Sequence, residues 1–223
     1  KNYEALFDEK LDLLQLANEN TKVNWQGQLT QSIAGKEVYP RPVQDKLPLW
    51  VATGGHVEST VKIAQAGLPI VYAIIGGNPH YFKKLIQAYR EIGRDAGHAD
   101  KDLKVGAHSW GWIAEDGEQA VKDYFHPTKQ VVDAISKDRP HWQELTYKQY
   151  LEQVGPNGAM FVGNPDQVAE KLIRMIEDLD LDRFMLHLPL GSMPHDQVLR
   201  AIELFGTQVA PKIRAYFAMK EEL

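Results

Sequence analysis

Two short glycine-rich loops have the composition of a phosphate-binding site. The first, Thr53-Gly54-Gly55-His56, follows an apolar run and leads through Ser59 into a stretch with helical periodicity. Glycines let backbone amides approach a ligand, and a helix N-terminus offers free N–H groups and the positive end of the helix dipole. The residues therefore predict an anion site, although a plain turn with Ser59 as the helix cap explains them equally well.

The second loop, Ile75-Gly76-Gly77, follows the next apolar run along the chain. Two glycine pairs at the ends of neighbouring strands favour a flat ligand that lies across both loops. Glycines are also common turn residues, so the pattern alone leaves that alternative open. Neither loop has the three spaced glycines of a dinucleotide-binding motif or the Lys-Ser/Thr ending of a phosphate loop.

Two histidines, His108 and His187, lie in the third and fourth apolar runs of this series. Matching strand positions predict a shared pocket in which the imidazoles accept or donate protons. A histidine in a strand is also often an ordinary core residue. Trp110 and Trp112 follow His108 at alternate positions, and the sequence does not show which side of the strand lines a cavity.

The elements that must position these residues alternate regularly. Apolar runs are followed by glycine-rich loops and then by amphipathic stretches, which is typical of parallel strand–loop–helix units and predicts an α/β fold. In such folds the functional residues lie at the C-terminal ends of the strands. The predicted strands are Leu47–Thr53, Leu68–Ile75, Leu103–Ile113 and Arg183–Leu188; the helices between and after them span Val57–Ala66, Pro79–Arg90, Gly117–Ile135, Gln167–Asp178 and Pro194–Glu203.

Three other segments complete the predicted organisation. Residues Tyr3–Asn18 have the spacing of an amphipathic helix, and Val23–Leu29 has that of a short ribbon. The segment His126–Gly163 is longer than an ordinary crossover and predicts an insertion over one end of the sheet. Because no linker divides the chain, we predict a single domain over residues 1–223.

Composition limits the possible functions. The 223 residues carry a net charge of −5 and contain no cysteine. The acidic balance argues against nucleic acid or anionic membranes as partners, and the lack of cysteine excludes disulfides, a thiol nucleophile and zinc knuckles. The longest apolar run is too short to span a bilayer. We therefore predict a cytoplasmic protein with a small-molecule substrate.

Several motifs in order resemble the C-terminal part of the bacterial luciferase-like, flavin-dependent monooxygenase family. The motifs are Tyr39-Pro-Arg-Pro-Val43, Leu49-Trp-Val-Ala-Thr-Gly-Gly-His-Val-Glu-Ser-Thr60, Ala66-Gly-Leu-Pro69, Ala73-Ile-Ile-Gly-Gly77, Lys104-Val-Gly-Ala-His108, Phe161-Val-Gly-Asn-Pro-Asp166, Leu190-Gly-Ser-Met-Pro194 and Glu203-Leu-Phe-Gly206. The resemblance implies a (β/α)8 TIM barrel of which this chain holds roughly the last four units. The N-terminal strands of such a barrel are absent from the sequence, so we expect this piece alone to be inactive.

The resemblance also implies a cofactor and a reaction. FMN would be held with its phosphate at Thr53, Gly54, Gly55, His56 and Ser59, and with its ring or ribityl chain flanked by Ile75, Gly76 and Gly77. FMN, delivered in reduced form by a separate flavin reductase or reduced by NAD(P)H, would react with oxygen and oxidise an organic substrate such as an aldehyde. His108 and His187 would be the catalytic candidates, and a homodimer is expected. Relatives often have a small hydroxyl residue at the position of His56.

Three alternatives remain open from the sequence. A deazaflavin-dependent oxidoreductase of the same fold would transfer hydride without oxygen. A metal-dependent barrel hydrolase would use His56, His108 and His187 as ligands, although the chain has no His-x-His pair. A flavin-binding protein without turnover is the third.

Overall fold

The computed structural model describes residues 2–139 and 142–221. It divides into two compact units, Lys1–Leu49 and Trp50–Leu223. The first unit consists of helix α1 (Tyr3–Glu19), which the sequence pattern predicts, and an antiparallel ribbon of β1 (Lys22–Trp25) and β2 (Ile33–Glu37). The ribbon predicted over Val23–Leu29 includes most of β1, whereas β2 lies beyond it. The prediction of a single domain stays a prediction, because packing into two units does not show whether either folds alone.

The proline-rich motif of the first unit has a local structural role. The Arg41 guanidinium donates hydrogen bonds to the carbonyl oxygens of Ala17 at 2.8 Å, Asn18 at 2.7 Å and Asn20 at 3.2 Å. These carbonyls lie at the end of α1, where helical partners are lacking. Arg41 therefore caps this helix by binding the negative end of its dipole.

The second unit contains repeated strand–helix units, as predicted. Its elements are β3 (Val51–Thr53), α2 (Val57–Gln65), β4 (Ile70–Ala73), a 3-10 turn (Pro79–Phe82), α3 (Lys83–Asp95), β5 (Val105–Ile113), α4 (Gly117–Asp138), α5 (Tyr147–Val154), β6 (Phe161–Gly163), α6 (Pro165–Leu179), β7 (Arg183–His187), α7 (His195–Leu204), a π-helical turn (Phe205–Val209) and α8 (Ala210–Glu221). Pro140 and His141, in the predicted insertion, lie outside the described residues.

The sheet of the second unit is parallel throughout. Strand β5 is the longest strand of the sheet and pairs with β4. The first and second halves of β5 also pair with two other strands. Residues Gly106–Trp110 pair with β7, and Gly111–Ile113 pair with β6. All four predicted strands are confirmed. The sequence analysis missed β6, because three residues are too few to show a periodicity.

The two faces of the sheet differ in what covers them. Tyr72 of β4 lies under helices, with its hydroxyl 3.2 Å from that of Thr60 in α2 and its ring 5.6 Å from that of Phe82. Side chains at the alternate positions point to the opposite side. We call this side the inner face; pairing brings together on it Ala73, His108, Trp110, Met185 and His187.

Candidate functional site

The loop after β3 holds one glycine that the fold itself requires. Gly55 has a φ of +98°, and a Cβ atom there would lie 2.9 Å from the ring of Phe82. Its amide donates to the Thr53 hydroxyl at 3.3 Å. Any other residue at this position would be strained and crowded. The glycine at position 55 therefore has a structural explanation that needs no ligand.

Gly54 lacks such an explanation. Its φ is not positive and a Cβ atom would meet nothing within 4 Å. Gly76, in the loop after β4, has the same properties. A glycine that neither backbone strain nor packing requires is consistent with close approach of a ligand to the backbone. Gly54 directly follows β3, and Gly76 comes three residues after the end of β4, the strand that pairs with β3.

The start of α2 supplies donors beside Gly54. The first intrahelical hydrogen bond runs from the Thr60 amide to the His56 carbonyl at 3.0 Å. The amides of Val57, Glu58 and Ser59 thus have no partner inside the helix. In the described part of the chain the Ser59 hydroxyl and the exposed His56 side chain also make no recorded hydrogen bond. This arrangement fits a phosphate group.

The loop after β4 continues the same edge of the sheet. Ile74 is buried, and its amide donates to the carbonyl of His108 at 2.8 Å, which ties the loop to β5. Ile75 is half-buried, whereas Gly76 and Gly77 are exposed. Gly77 has a φ of +76°, so the turn itself requires a glycine at that position. The loop therefore presents exposed backbone at Gly76 and Gly77 after the strand that neighbours β3.

The structure brings the two predicted histidines together. The rings of His108 on β5 and His187 on β7 have centroids 5.6 Å apart, and both side chains lie on the inner face. Burial lowers the pKa of His108, and the nearby His187 adds to this effect. His187 is exposed. At neutral pH the pair therefore offers an uncharged His108 as a proton acceptor or donor.

Aromatic side chains border the histidine pair on one side. Trp110 is buried, and its ring centroid lies 6.4 Å from that of Trp142 in the segment after α4. Ser109, at the intervening position, instead donates to the Ile74 carbonyl at 2.8 Å on the covered face. This resolves the side of β5 that lines the site. Trp112 follows the same alternation as Trp110, but its ring stacks on that of Tyr124 in α4, with the centroids 5.9 Å apart, so it packs against this helix and does not line the site.

Two of these site features were missed by the sequence analysis. Met185 lies directly opposite His108 in the parallel pairing, and Trp142 comes from the insertion. The alternation of Met185 with His187 is a signal that could have placed both side chains on one face. No sequence signal pairs Trp142 with Trp110, because their contact depends on how the insertion folds back.

The hydrolase alternative lacks a ligand set. Within residues 2–139 and 142–221, no group of three or more histidine, cysteine, aspartate or glutamate side chains is placed to hold a metal ion. His56, His108 and His187 therefore do not form the cluster that the alternative requires.

In the same ranges no helix is long and apolar enough to cross a bilayer.

Comparison with known proteins decides the family. The sequence profile of the family described as luciferase-like monooxygenase matches residues 1–182. The chain belongs to the luciferase-like monooxygenase family. The recognition made from the motifs is thereby confirmed. No protein with a curated function matches this luciferase-like chain significantly.

Solved structures with the same fold include enzymes of two cofactor types. A monooxygenase from Streptomyces bottropensis superposes with a TM-score of 0.76 at 20% identity, covering 93% of this chain and 61% of that one. A coenzyme F420 dependent tetrahydromethanopterin reductase from Methanopyrus kandleri gives 0.63 at 16%, covering 93% and 62%. The oxygenating constituent of a Pseudomonas putida Baeyer-Villiger monooxygenase, in complex with FMN, gives 0.62 at 16%, covering 96% and 64%.

These likenesses concern the fold. The luciferase-like chain spans about 61% to 64% of the length of the three structures. The predicted fold class, an α/β chain that represents part of a luciferase-like barrel, is confirmed. The site residues predicted at the two loops and at the histidine pair stay predictions, and the activity of the complete protein is a matter for proposal.

Proposed function

We propose that the complete protein is an FMN-dependent oxidoreductase that uses reduced FMN and oxygen on a small organic substrate such as an aldehyde. The single observation that carries this proposal is the open Gly54 just before the amides of Val57, Glu58 and Ser59, which have no partner inside α2. Gly76, in the loop after the neighbouring strand, is open in the same way. Family membership and the FMN-bound neighbour from Pseudomonas putida support the choice of FMN.

The residues of this chain have distinct parts in the proposal. Thr53, Gly54, Gly55, His56 and Ser59 hold the phosphate, and Ile75, Gly76 and Gly77 flank the ribityl chain or ring. The bound flavin supplies the redox chemistry. His108 and His187 hold or move a proton on the substrate side, while Trp110 and Met185 exclude water from the inner face. We further propose a cytoplasmic homodimer whose FMN is delivered in reduced form by a flavin reductase or is reduced by NAD(P)H.

A reaction assay tests the proposed chemistry. The purified complete protein, mixed with FMN, NADH and a flavin reductase, is expected to consume oxygen in proportion to oxidised aldehyde.

A neighbour named as F420-dependent favours one competing function, a deazaflavin oxidoreductase. Substrate turnover with reduced F420 and without oxygen, combined with none in the FMN assay, would contradict the proposal. The 223-residue chain alone is expected to show no oxygenase activity.

The histidine pair predicts a pH dependence of stability. The pKa of His108 is lowered in the folded state, so the unfolded chain binds its proton more readily. The free energy of unfolding should therefore fall as the pH drops below the ordinary histidine pKa of 6.5 toward the lowered one. Thermal melts at pH 7 and pH 5 should show a smaller loss for His108→Asn than for the unmodified protein.

His187→Asn is the matched variant for this experiment. It removes the neighbouring imidazole but keeps His108 buried, and burial is the larger cause of the lowered His108 pKa, so it should recover only part of the effect. Equal acid sensitivity of the unmodified protein and His108→Asn would show that His108 does not carry the predicted shift.

A further inference from the structure

A buried lysine occupies a cage of backbone carbonyl oxygens away from the proposed flavin site. Lys171 of α6 is only 9% exposed. Its Nζ atom lies 2.6 Å from the Gly155 oxygen, 2.6 Å from that of Met160, 3.0 Å from that of Val154 and 3.5 Å from that of Gln153. The ring centroid of Phe161 is 5.2 Å away.

The geometry of the cage matches a cation. Three of the oxygens come from the C-terminal end of α5 and its cap Gly155, where carbonyls lack helical partners and the helix dipole is negative. An ammonium has three N–H donors, which equals the number of contacts at 3.0 Å or less. Converging carbonyl oxygens are also the ligands that K⁺ channels use for their ion.

The charge of Lys171 has no carboxylate partner in the described ranges, since each recorded contact of its ammonium is a carbonyl oxygen or the Phe161 ring. Burial, with a smaller contribution from Arg174, lowers the pKa of Lys171 to about 7. The carbonyls act in the opposite direction, because a neutral amine would present a lone pair to oxygen lone pairs. The carbonyl oxygens of the cage thus favour the ammonium form of Lys171, and a slightly acidic pH favours the same form.

We propose that this cage is a monovalent-cation site that the chain fills with its own tethered ammonium. The filled site holds together the end of α5 and the start of β6, which pairs with the second half of β5. The inference is independent of the proposed flavin chemistry. It predicts that the cage will take a free monovalent cation once the lysine side chain is removed.

Two variants test this proposal at pH 6.5, where the ammonium form is favoured. Lys171→Met keeps most of the apolar stem and removes the charge, so it should lower the Tm by about 5–10 °C because the carbonyls lose their donors. Lys171→Ala also opens a cavity. Its Tm should rise saturably with ammonium, methylammonium or potassium chloride, but not with choline chloride at equal ionic strength.

Lys122→Met is the matched control, because Lys122 is an exposed lysine on α4. It should change neither the Tm nor its dependence on cations. Hydrogen exchange of the segment from 153 to 160 should be faster in Lys171→Ala and slowed by the rescuing cations. The proposal is overturned if Lys171→Met has the same Tm as the unmodified protein. This comparison can be made even if Lys171→Ala does not fold. A Tm of Lys171→Ala that responds equally to choline and ammonium would also overturn it.

Discussion

Replacing Gly54 with alanine is expected to weaken FMN binding about 10- to 100-fold, equivalent to about 1.4–2.8 kcal/mol, with little effect on the Tm. A Cβ atom at position 54 meets no protein atom within 4 Å, so the fold tolerates it. The same atom would enter the space that the account assigns to the phosphate, beside the free amides of Val57 and Ser59. Fluorescence titration of FMN into both proteins measures the effect.

The chain offers a matched control for this variant. Gly206 also has an ordinary φ and an unobstructed Cβ position, but it lies in the π-helical turn after α7. Gly206→Ala should leave FMN affinity unchanged. Gly76→Ala should weaken it, because this residue stands at the end of the neighbouring strand. An effect of Gly206→Ala as large as that of Gly54→Ala would show that the loss of affinity is not local.

The second large effect concerns the point at which β5 changes partners. A Cβ atom on Gly111 would lie 2.4 Å from the carbonyl oxygen of Phe161 and 2.5 Å from Cδ1 of Leu186. Phe161 is fully buried, so the backbone of β6 must move to relieve the contact. Gly111→Ala is expected to cost about 3 kcal/mol of unfolding free energy, the upper part of the usual range for overpacking.

Urea unfolding of the purified protein checks this expectation. A loss of about 3 kcal/mol corresponds to a Tm lowered by roughly 6–12 °C in a chain of this size. Gly206→Ala again serves as the comparison and should be neutral or slightly stabilising, since alanine favours helical backbone. A Gly111→Ala protein within about 0.5 kcal/mol of the unmodified one would contradict the packing argument.

The sequence predicts the repeating architecture well because each unit has a strong local signal. The strands β3, β4, β5 and β7 are rich in apolar residues, and α6 begins at a capping box formed by Asn164 and Gln167. The proximity of His108 to His187 follows from the rule that parallel strands align their C-terminal ends.

Other features depend on contacts between distant parts of the chain. The inner face of β5 could not be chosen because every residue of that strand except His108 is buried, which removes the alternation of polar and apolar positions. In the sequence, Lys171 has the features of a surface residue on an amphipathic helix. Its contact with the end of α5 cannot be seen from the helix periodicity. Helix α8 was missed because its apolar residues do not gather on one side.

The most direct test of the central claim compares FMN with riboflavin, which lacks only the phosphate. The complete protein is expected to bind FMN about 100-fold more tightly than riboflavin, because the loop after β3 and the start of α2 bind the phosphate. Ser59→Ala and Gly54→Ala should weaken FMN binding but leave riboflavin binding nearly unchanged. Equal affinities for the two flavins, or equal losses for both in these variants, would contradict a phosphate site at this loop.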